Sequence, residues 1–168
     1  MRYIAITSPD INNGLGCRVT LWVAGCTRHC PNCQNPETWG YLQGKCLDEA
    51  YKEVFEKLSL PYIKGLSISG GDPLDQTSES IADLKTFLER VKYDFPNKDI
   101  WIYSGDVFEN LIKGDSLSVL KLCDVLVDGP YIHSQRDITL PFRGSTNQRI
   151  IDLKKTFDGN GKVVIKEV

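Results

Sequence analysis

Residues Gly25 to Trp39 read GCTRHCPNCQNPETW and follow directly on an apolar run, RVTLWVA, from Arg18 to Ala24. Within the stretch, Cys26, Cys30 and Cys33 have the spacing C-x3-C-x2-C. Thiolates are soft ligands that favour iron–sulfur clusters and zinc. A closed structural zinc site needs four ligands, whereas three cysteines can bind three irons of a cubane cluster and leave its fourth iron open. The spacing therefore favours a 4Fe-4S cluster with an open position for a substrate.

Zinc is the alternative that these residues leave open. His29 is adjacent to Cys30, and neighbouring residues rarely direct both side chains at one metal, so His29 is a poor fourth ligand. A remote thiol, Cys46 or Cys17, could instead complete a set of four. The two interpretations predict different metal and sulfide contents, because a cluster contains iron and sulfide and a zinc site contains neither.

The bulk composition is that of a globular protein. Its 168 residues suit one domain, 1–168, with a substantial core. The formal net charge is -2 and there is no long basic run, so we expect no nucleic-acid partner. The apolar runs are too short to span a bilayer, and the first residues, MRYIAITSPD, lack a secretion signal. We therefore expect a cytoplasmic protein with no membrane partner, in which clustered thiols hold a metal or a cluster.

Apolar and amphipathic segments alternate along the chain. Runs rich in β-branched and aromatic residues predict strands, and apolar residues at helical spacing predict helices. The predicted strands are Arg18–Ala24, Gly65–Gly71, Asp99–Gly105, Cys123–Pro130 and a pair in the tail around Asp158–Gly161. The predicted helices are Asp48–Leu58, Ser78–Val91 with Ser78 as N-cap, and Asp106–Leu122 with an interruption near Gly114. This alternation is typical of an α/β fold with a largely parallel sheet.

Four of the predicted strands end in residues with distinct chemistry. Ligands of parallel α/β sheets bind beyond the carboxyl ends of the strands. The four ends are Cys26–Cys33, Gly70–Pro73, Tyr103–Asp106 and Asp128–Pro130. If the strands are parallel, these ends converge on one rim, which predicts a single binding site there.

At these residues the chain resembles the radical S-adenosylmethionine (SAM) enzymes, whose cluster loop usually reads C-x3-C-x2-C. Within them it is similar to the glycyl-radical activating enzymes, and most similar to the activators of anaerobic ribonucleoside-triphosphate reductase. The matching blocks, in chain order from about Asp10 to Asp152, are DINNGLGCRVTLWVAGCTRHCPNCQNPETW, LSISGGDPL, KDIWIYSG, VLVDGPY and RGSTNQRIID. Asn32 stands where the wider superfamily often has an aromatic residue, and Asp72 where it often has glutamate.

The resemblance implies a fold and a set of cofactors. The fold would be a single radical SAM domain, an open, partial β/α barrel of about five or six mostly parallel strands. Cys26, Cys30 and Cys33 would hold the cluster, and its open iron would bind SAM. The implied SAM-binding residues are Asn32, Cys33, Gln34, Gly70, Gly71, Asp72, Ser104 and Asp128. Tyr103 is a further candidate contact, and Arg143 would hold either the SAM carboxylate or the partner protein.

The resemblance also implies a reaction and its partners. Reduced flavodoxin or a similar donor would supply one electron, and SAM would be cleaved to methionine and a 5′-deoxyadenosyl radical. That radical would take hydrogen from a glycine of the anaerobic reductase, leaving a glycyl radical. The cofactors would carry the chemistry, and no residue is predicted to act as acid, base or nucleophile.

Two other functions are alternatives at this stage. One is the activation of another glycyl-radical enzyme, of the pyruvate formate-lyase type. The RGSTNQ block, Arg143 to Gln148, and the lack of a second cluster motif favour the reductase. The other is a structural zinc-binding module that binds a protein and catalyses nothing.

Overall fold

A computed structural model describes residues 1–168 and contains one open sheet of seven strands. The strands are β1 (Arg2–Asp10), β2 (Cys17–Val23), β3 (Lys45–Cys46), β4 (Ile63–Gly70), β5 (Asp99–Tyr103), β6 (Val125–Asp128) and β7 (Arg149–Asp152). The helices are α1 (Ala50–Leu58), α2 (Ser78–Asp94), α3 (Phe108–Leu111), α4 (Ser116–Leu120) and α5 (Leu153–Asp158). No helix combines the length and the apolar character that a bilayer crossing requires.

The sheet is parallel in its centre and antiparallel at both sides. Its strand order is β3-β1-β2-β4-β5-β6-β7, and β2, β4, β5 and β6 run parallel to one another. β1 and β3 on one side, and β7 on the other, pair antiparallel with their neighbours. The α/β class and the parallel centre are therefore confirmed, and the sheet is not closed.

The expected strand count of five or six is wrong, because the sheet has seven strands. β1 was not predicted because exposed, half-buried and buried positions are mixed along RYIAITSPD, without the continuous apolar run of a central strand. β3 has only two residues, too few for any periodic signal.

The tail and one helix start also differ from expectation. The predicted tail hairpin is only half present, since β7 is followed by α5 and Ile165 forms an isolated bridge with Ile151. Asp152 explains the change, because its side chain accepts a hydrogen bond from Lys155 N and caps the helix. The N-cap of α2 is Thr77 rather than Ser78, since Thr77 accepts from Ser80 N.

The two faces of the sheet differ in chemistry. Successive strand residues point to opposite faces, and in β5 the buried Ile100 and Ile102 join the large core cluster that includes residues from all five helices. The intervening Trp101 belongs to a second, small cluster on the other face. In β4, the buried Ser67 and Ser69 alternate with Leu66 and Ile68 in the same way. The face without helices therefore combines buried polar residues with a small apolar cluster.

Candidate functional site

A cavity of about 950 Å³ lies at the carboxyl ends of the parallel strands. Its wall includes residues from the ends of β2, β4, β5 and β6, as the parallel arrangement predicts. These are Cys26, Cys30, Cys33, Gly70, Gly71, Asp72, Ser104, Gly105 and Gly129. The structure therefore brings the four predicted strand ends together in one site.

The three cysteines of the C-x3-C-x2-C stretch share this cavity. Cys26, Cys30 and Cys33 are free thiols, each half-buried, and all three line the same wall. Positive φ angles at His29 and Asn32, 44° and 56°, turn the backbone between them. Because these left-handed conformations turn the backbone twice, the three soft ligands lie on one short loop.

The other candidate zinc ligands lie elsewhere. The His29 ring stacks on Trp39 with centroids 4.4 Å apart, and neither His29, Cys17 nor Cys46 lines the cavity. No group of three His, Cys, Asp or Glu side chains is arranged around a single point. Three thiols on one short loop are a donor set that fits an iron–sulfur cluster.

The surroundings of Cys26 disfavour a free thiolate. Burial raises the pKa of the Cys26 thiol, and the nearby carboxylates of Asp72 and Asp75 raise it further. Backbone N–H groups of Arg28 and His29 oppose this by lowering the pKa. A bound metal cluster would supply the positive charge that a thiolate needs in this position.

Two glycines let the end of β4 approach the cysteine loop. Gly70 has a φ of 107°, and a Cβ placed on Gly71 would lie 2.3 Å from Gly25 O. Asp72 N donates to the same Gly25 carbonyl at 2.8 Å. The amide of Gln76 also donates to Gly25 O, at 3.2 Å. The backbone after β4 is therefore fixed against the start of the cysteine loop.

Asp72 joins the ends of β4 and β5. Its carboxylate is fully buried and accepts from Leu74 N, Gly105 N and Ser104 Oγ at 3.0, 2.9 and 3.1 Å. Burial raises its pKa, while these donors and the Arg28 guanidinium lower it. The carboxylate is thus engaged in holding the strand ends together at the cavity wall.

Two predicted ligand contacts lie off the cavity wall. Asn32 is exposed and does not line the cavity. Asp128 is fully buried, accepts from Phe108 N at 2.7 Å and pairs with Arg149 Nε at 3.0 Å. The positions of Asn32 and Asp128 therefore do not support the predicted contacts with SAM. Gln34 and Arg143 do line the cavity.

The sequence interpretation missed a further part of the cavity wall, except for Arg143. It consists of Thr7 and residues 9–13 at the end of β1, together with residues 138–144 of the connection from β6 to β7. Asp10 shapes the first segment by accepting from Asn12 N at 2.7 Å and Asn13 Nδ2 at 2.7 Å. The sequence feature that could have indicated the first segment is an Asp-x-Asn-Asn turn before a strand. By itself this pattern is typical of an ordinary turn.

Comparison with known proteins first defines a class. Residues 12–151 match the family described as a 4Fe-4S single cluster domain, so the chain is an iron–sulfur protein of that type. The chain is 41% identical to the anaerobic ribonucleoside-triphosphate reductase-activating protein of Enterobacteria phage T4, over 89% of this chain and 93% of the relative. Proteins of the same name from Haemophilus influenzae and Escherichia coli K12 are 39% and 36% identical, over 89% and 92% of this chain and 97% and 100% of theirs.

The chain belongs to the family of anaerobic ribonucleoside-triphosphate reductase-activating proteins. The family resemblance seen in the cysteine loop and the four later blocks is thereby confirmed.

Proposed function

We propose that this protein activates an anaerobic ribonucleoside-triphosphate reductase by radical SAM chemistry, forming a glycyl radical on that partner. The observation that carries the proposal is the shared cavity of Cys26, Cys30 and Cys33 with the backbone after β4. The names of the relatives support the choice of reductase over other glycyl-radical enzymes. The open sheet with a parallel centre is compatible with a partial β/α barrel.

Cys26, Cys30 and Cys33 would hold the cluster. When bound, the cluster and SAM would supply a one-electron cleavage that yields methionine and a 5′-deoxyadenosyl radical able to take hydrogen from a glycine Cα. The chain's own residues would bind, orient and shield these groups. Three thiolates would leave one iron of the cluster available to SAM, and no fourth thiol lies on the cavity wall.

SAM would lie between the cysteine loop and the ends of β4 and β5. Gly70 and Gly71 have no Cβ, which lets a ligand approach their backbone. Ser104 and Gln34 both line the cavity and would offer hydroxyl and amide groups to the nucleoside. Arg143 also lines the cavity and would meet the SAM carboxylate, and its Nη1 donates to Gln148 O.

The second half of the cavity would receive the partner. At about 950 Å³ the cavity lies near the upper end of volumes that hold a single small ligand. Ile11 and Ile138 stand on its wall and are 66% and 80% exposed. We infer that a glycine-bearing loop of the reductase enters here, and that reduced flavodoxin or a similar cytoplasmic protein supplies the electron.

The test is anaerobic reconstitution with iron and sulfide, followed by reduction in the presence of SAM. We expect about four irons and four sulfides for each chain, the content of one cubane cluster, and 5′-deoxyadenosine that forms only with SAM and reductant. Stoichiometric zinc without sulfide, and no cleavage of SAM, would refute the proposal.

A glycine substitution tests the close approach after β4. Gly71→Ala would place a Cβ 2.3 Å from Gly25 O, so the backbone must shift away from the cysteine loop. We expect SAM affinity to fall at least tenfold, about 1.4 kcal/mol, measured by isothermal titration of the reconstituted protein.

Gly114→Ala is the matched control, because its Cβ would meet no atom within 4 Å. It should bind SAM as the parent protein does. Equal affinity of the Gly71 variant and this control would show that SAM lies away from the end of β4.

A further inference from the structure

Arg28 lies inside the cysteine loop, between Cys26 and Cys30, and its side chain forms part of the cavity wall. Its Nε lies 3.4 Å from Asp72 Oδ2 and its Nη2 lies 3.2 Å from Asp106 Oδ2. The Arg28 side chain is only 30% exposed. One guanidinium therefore bridges a carboxylate from the end of β4 and a carboxylate from the end of β5.

Asp72 is the buried carboxylate of this bridge. Its side chain is 2% exposed, and Arg28 is the cation that pairs with it. An ionised carboxylate in such surroundings is costly unless it is paired and hydrogen-bonded. Asp72 and Cys26 line the same cavity. Arg28 thus compensates a buried negative charge beside the first cysteine of the loop.

The surrounding residues make room for the arginine. A Cβ placed on Gly105 would lie 2.4 Å from Arg28 Cδ and 2.7 Å from Arg28 Nε. The neighbouring Thr27 is held as well, because its N and Oγ1 both donate to Asp75 Oδ2, at 2.7 and 2.6 Å. Two consecutive residues of the loop are therefore anchored to carboxylates that follow β4.

We propose that Arg28 is a positioning residue that neutralises the carboxylates of Asp72 and Asp106 beside the cluster and so makes the cluster easier to reduce. The inference rests on the proposed function, since it requires a cluster on the cysteine loop. Reduction adds one negative charge to the cluster. A nearby guanidinium stabilises that charge, and a buried carboxylate without its partner destabilises it.

The experiment is a redox titration of the reconstituted protein, followed by the electron paramagnetic resonance signal of the reduced cluster. Arg28→Gln removes the charge and keeps a polar side chain. We expect the equilibrium constant for reduction to fall about tenfold, which is about 59 mV toward more negative potential for one electron. Arg28→Lys keeps the charge and should restore most of the potential.

Two further variants keep the test decisive. Arg90→Gln is the matched control, because Arg90 pairs with Asp94 on α2 and does not line the cavity. Asp106→Asn removes one of the two carboxylates and should move the potential in the opposite direction to Arg28→Gln. If the Arg28→Gln protein does not retain iron, the potential of the Asp106→Asn protein still tests the proposal.

The outcomes separate this inference from the proposed function. An unshifted potential in Arg28→Gln with full iron content, or a potential in Asp106→Asn that is unchanged or more negative, would overturn the role of Arg28 alone. A parent protein that acquires no cluster at all would instead overturn the proposed function.

Discussion

Replacing any one of Cys26, Cys30 and Cys33 with alanine is expected to abolish the reductive cleavage of SAM. Each substitution would leave a second iron without a protein ligand, so the cluster would be lost or would no longer present a single open iron. The measurements are iron and sulfide content after anaerobic reconstitution and the yield of 5′-deoxyadenosine. We expect no cleavage above the level without protein.

The other cysteines provide the controls for this experiment. Cys17, Cys46 and Cys123 lie off the cavity wall, and Cys123 is buried in the core. Cys17→Ala and Cys46→Ala should retain the parent iron content. Cys123→Ala should retain it too, with some loss of stability from the truncated core side chain. Full activity of a Cys26, Cys30 or Cys33 variant would contradict the cluster assignment, and loss of iron from a control would show that the ligands were chosen wrongly.

Replacing Arg18 with alanine is expected to give a large loss of stability. Arg18 is fully buried on the polar face of β2, where its guanidinium pairs with Asp99 Oδ1 at 2.8 Å. It also donates to Ser67 Oγ at 2.7 Å and to Leu66 O at 2.8 Å, and it lies over the Trp101 ring. The Asp99 side chain is 27% exposed, so the main losses are the hydrogen bonds of a charged group and its packing, and we expect about 2–3 kcal/mol less free energy of unfolding.

Urea denaturation of the iron-free protein measures this effect without interference from the cluster. Arg90→Ala is the matched control, since Arg90 makes an i,i+4 pair with Asp94 and its side chain is 60% exposed. Its expected change is within about 0.5 kcal/mol. A cost for Arg18→Ala no larger than that of the control would mean that the network around Arg18 contributes little.

The network around Arg18 also bears on the site. Ser67 Oγ, which accepts from Arg18, donates to Asn13 O at 2.6 Å. Asn13 lies on the cavity wall. A Cβ on Gly14 would lie 2.8 Å from Trp101 and 3.0 Å from Arg18, so the segment packs directly on this pair. Part of the cavity wall therefore depends on a buried arginine that does not itself line the cavity.

The features that the sequence predicted well are those with strong local signals. The central strands are buried on both faces, so β5 and β6 contain short continuous apolar runs, and β4 has apolar residues alternating with small ones before two glycines. The cysteine spacing is likewise local, and a parallel sheet then brings the four strand ends together without further information. β1, the two-residue β3 and α5 lacked such signals, and the sequence interpretation missed them.

The sequence alone also did not show which charged side chains form ion pairs with one another. Asp72 and Asp128 both follow strands and both looked available to a ligand, yet the structure pairs them with Arg28 and Arg149. These partners are 44 and 21 residues away in the chain. Pairing at such separations depends on the tertiary arrangement of strand ends, which residue spacing does not show. For the same reason the role of Arg28 emerged only from the structure.

The most direct test of the account is electron paramagnetic resonance of an anaerobic mixture of the reconstituted protein, a reductant, SAM and the anaerobic reductase from the same source. The account predicts a doublet of a carbon-centred glycyl radical that appears only when SAM is present and disappears with Cys30→Ala. The absence of the doublet, from a protein that holds its cluster and a reductase that contains its glycine, would contradict the proposed activation of this partner.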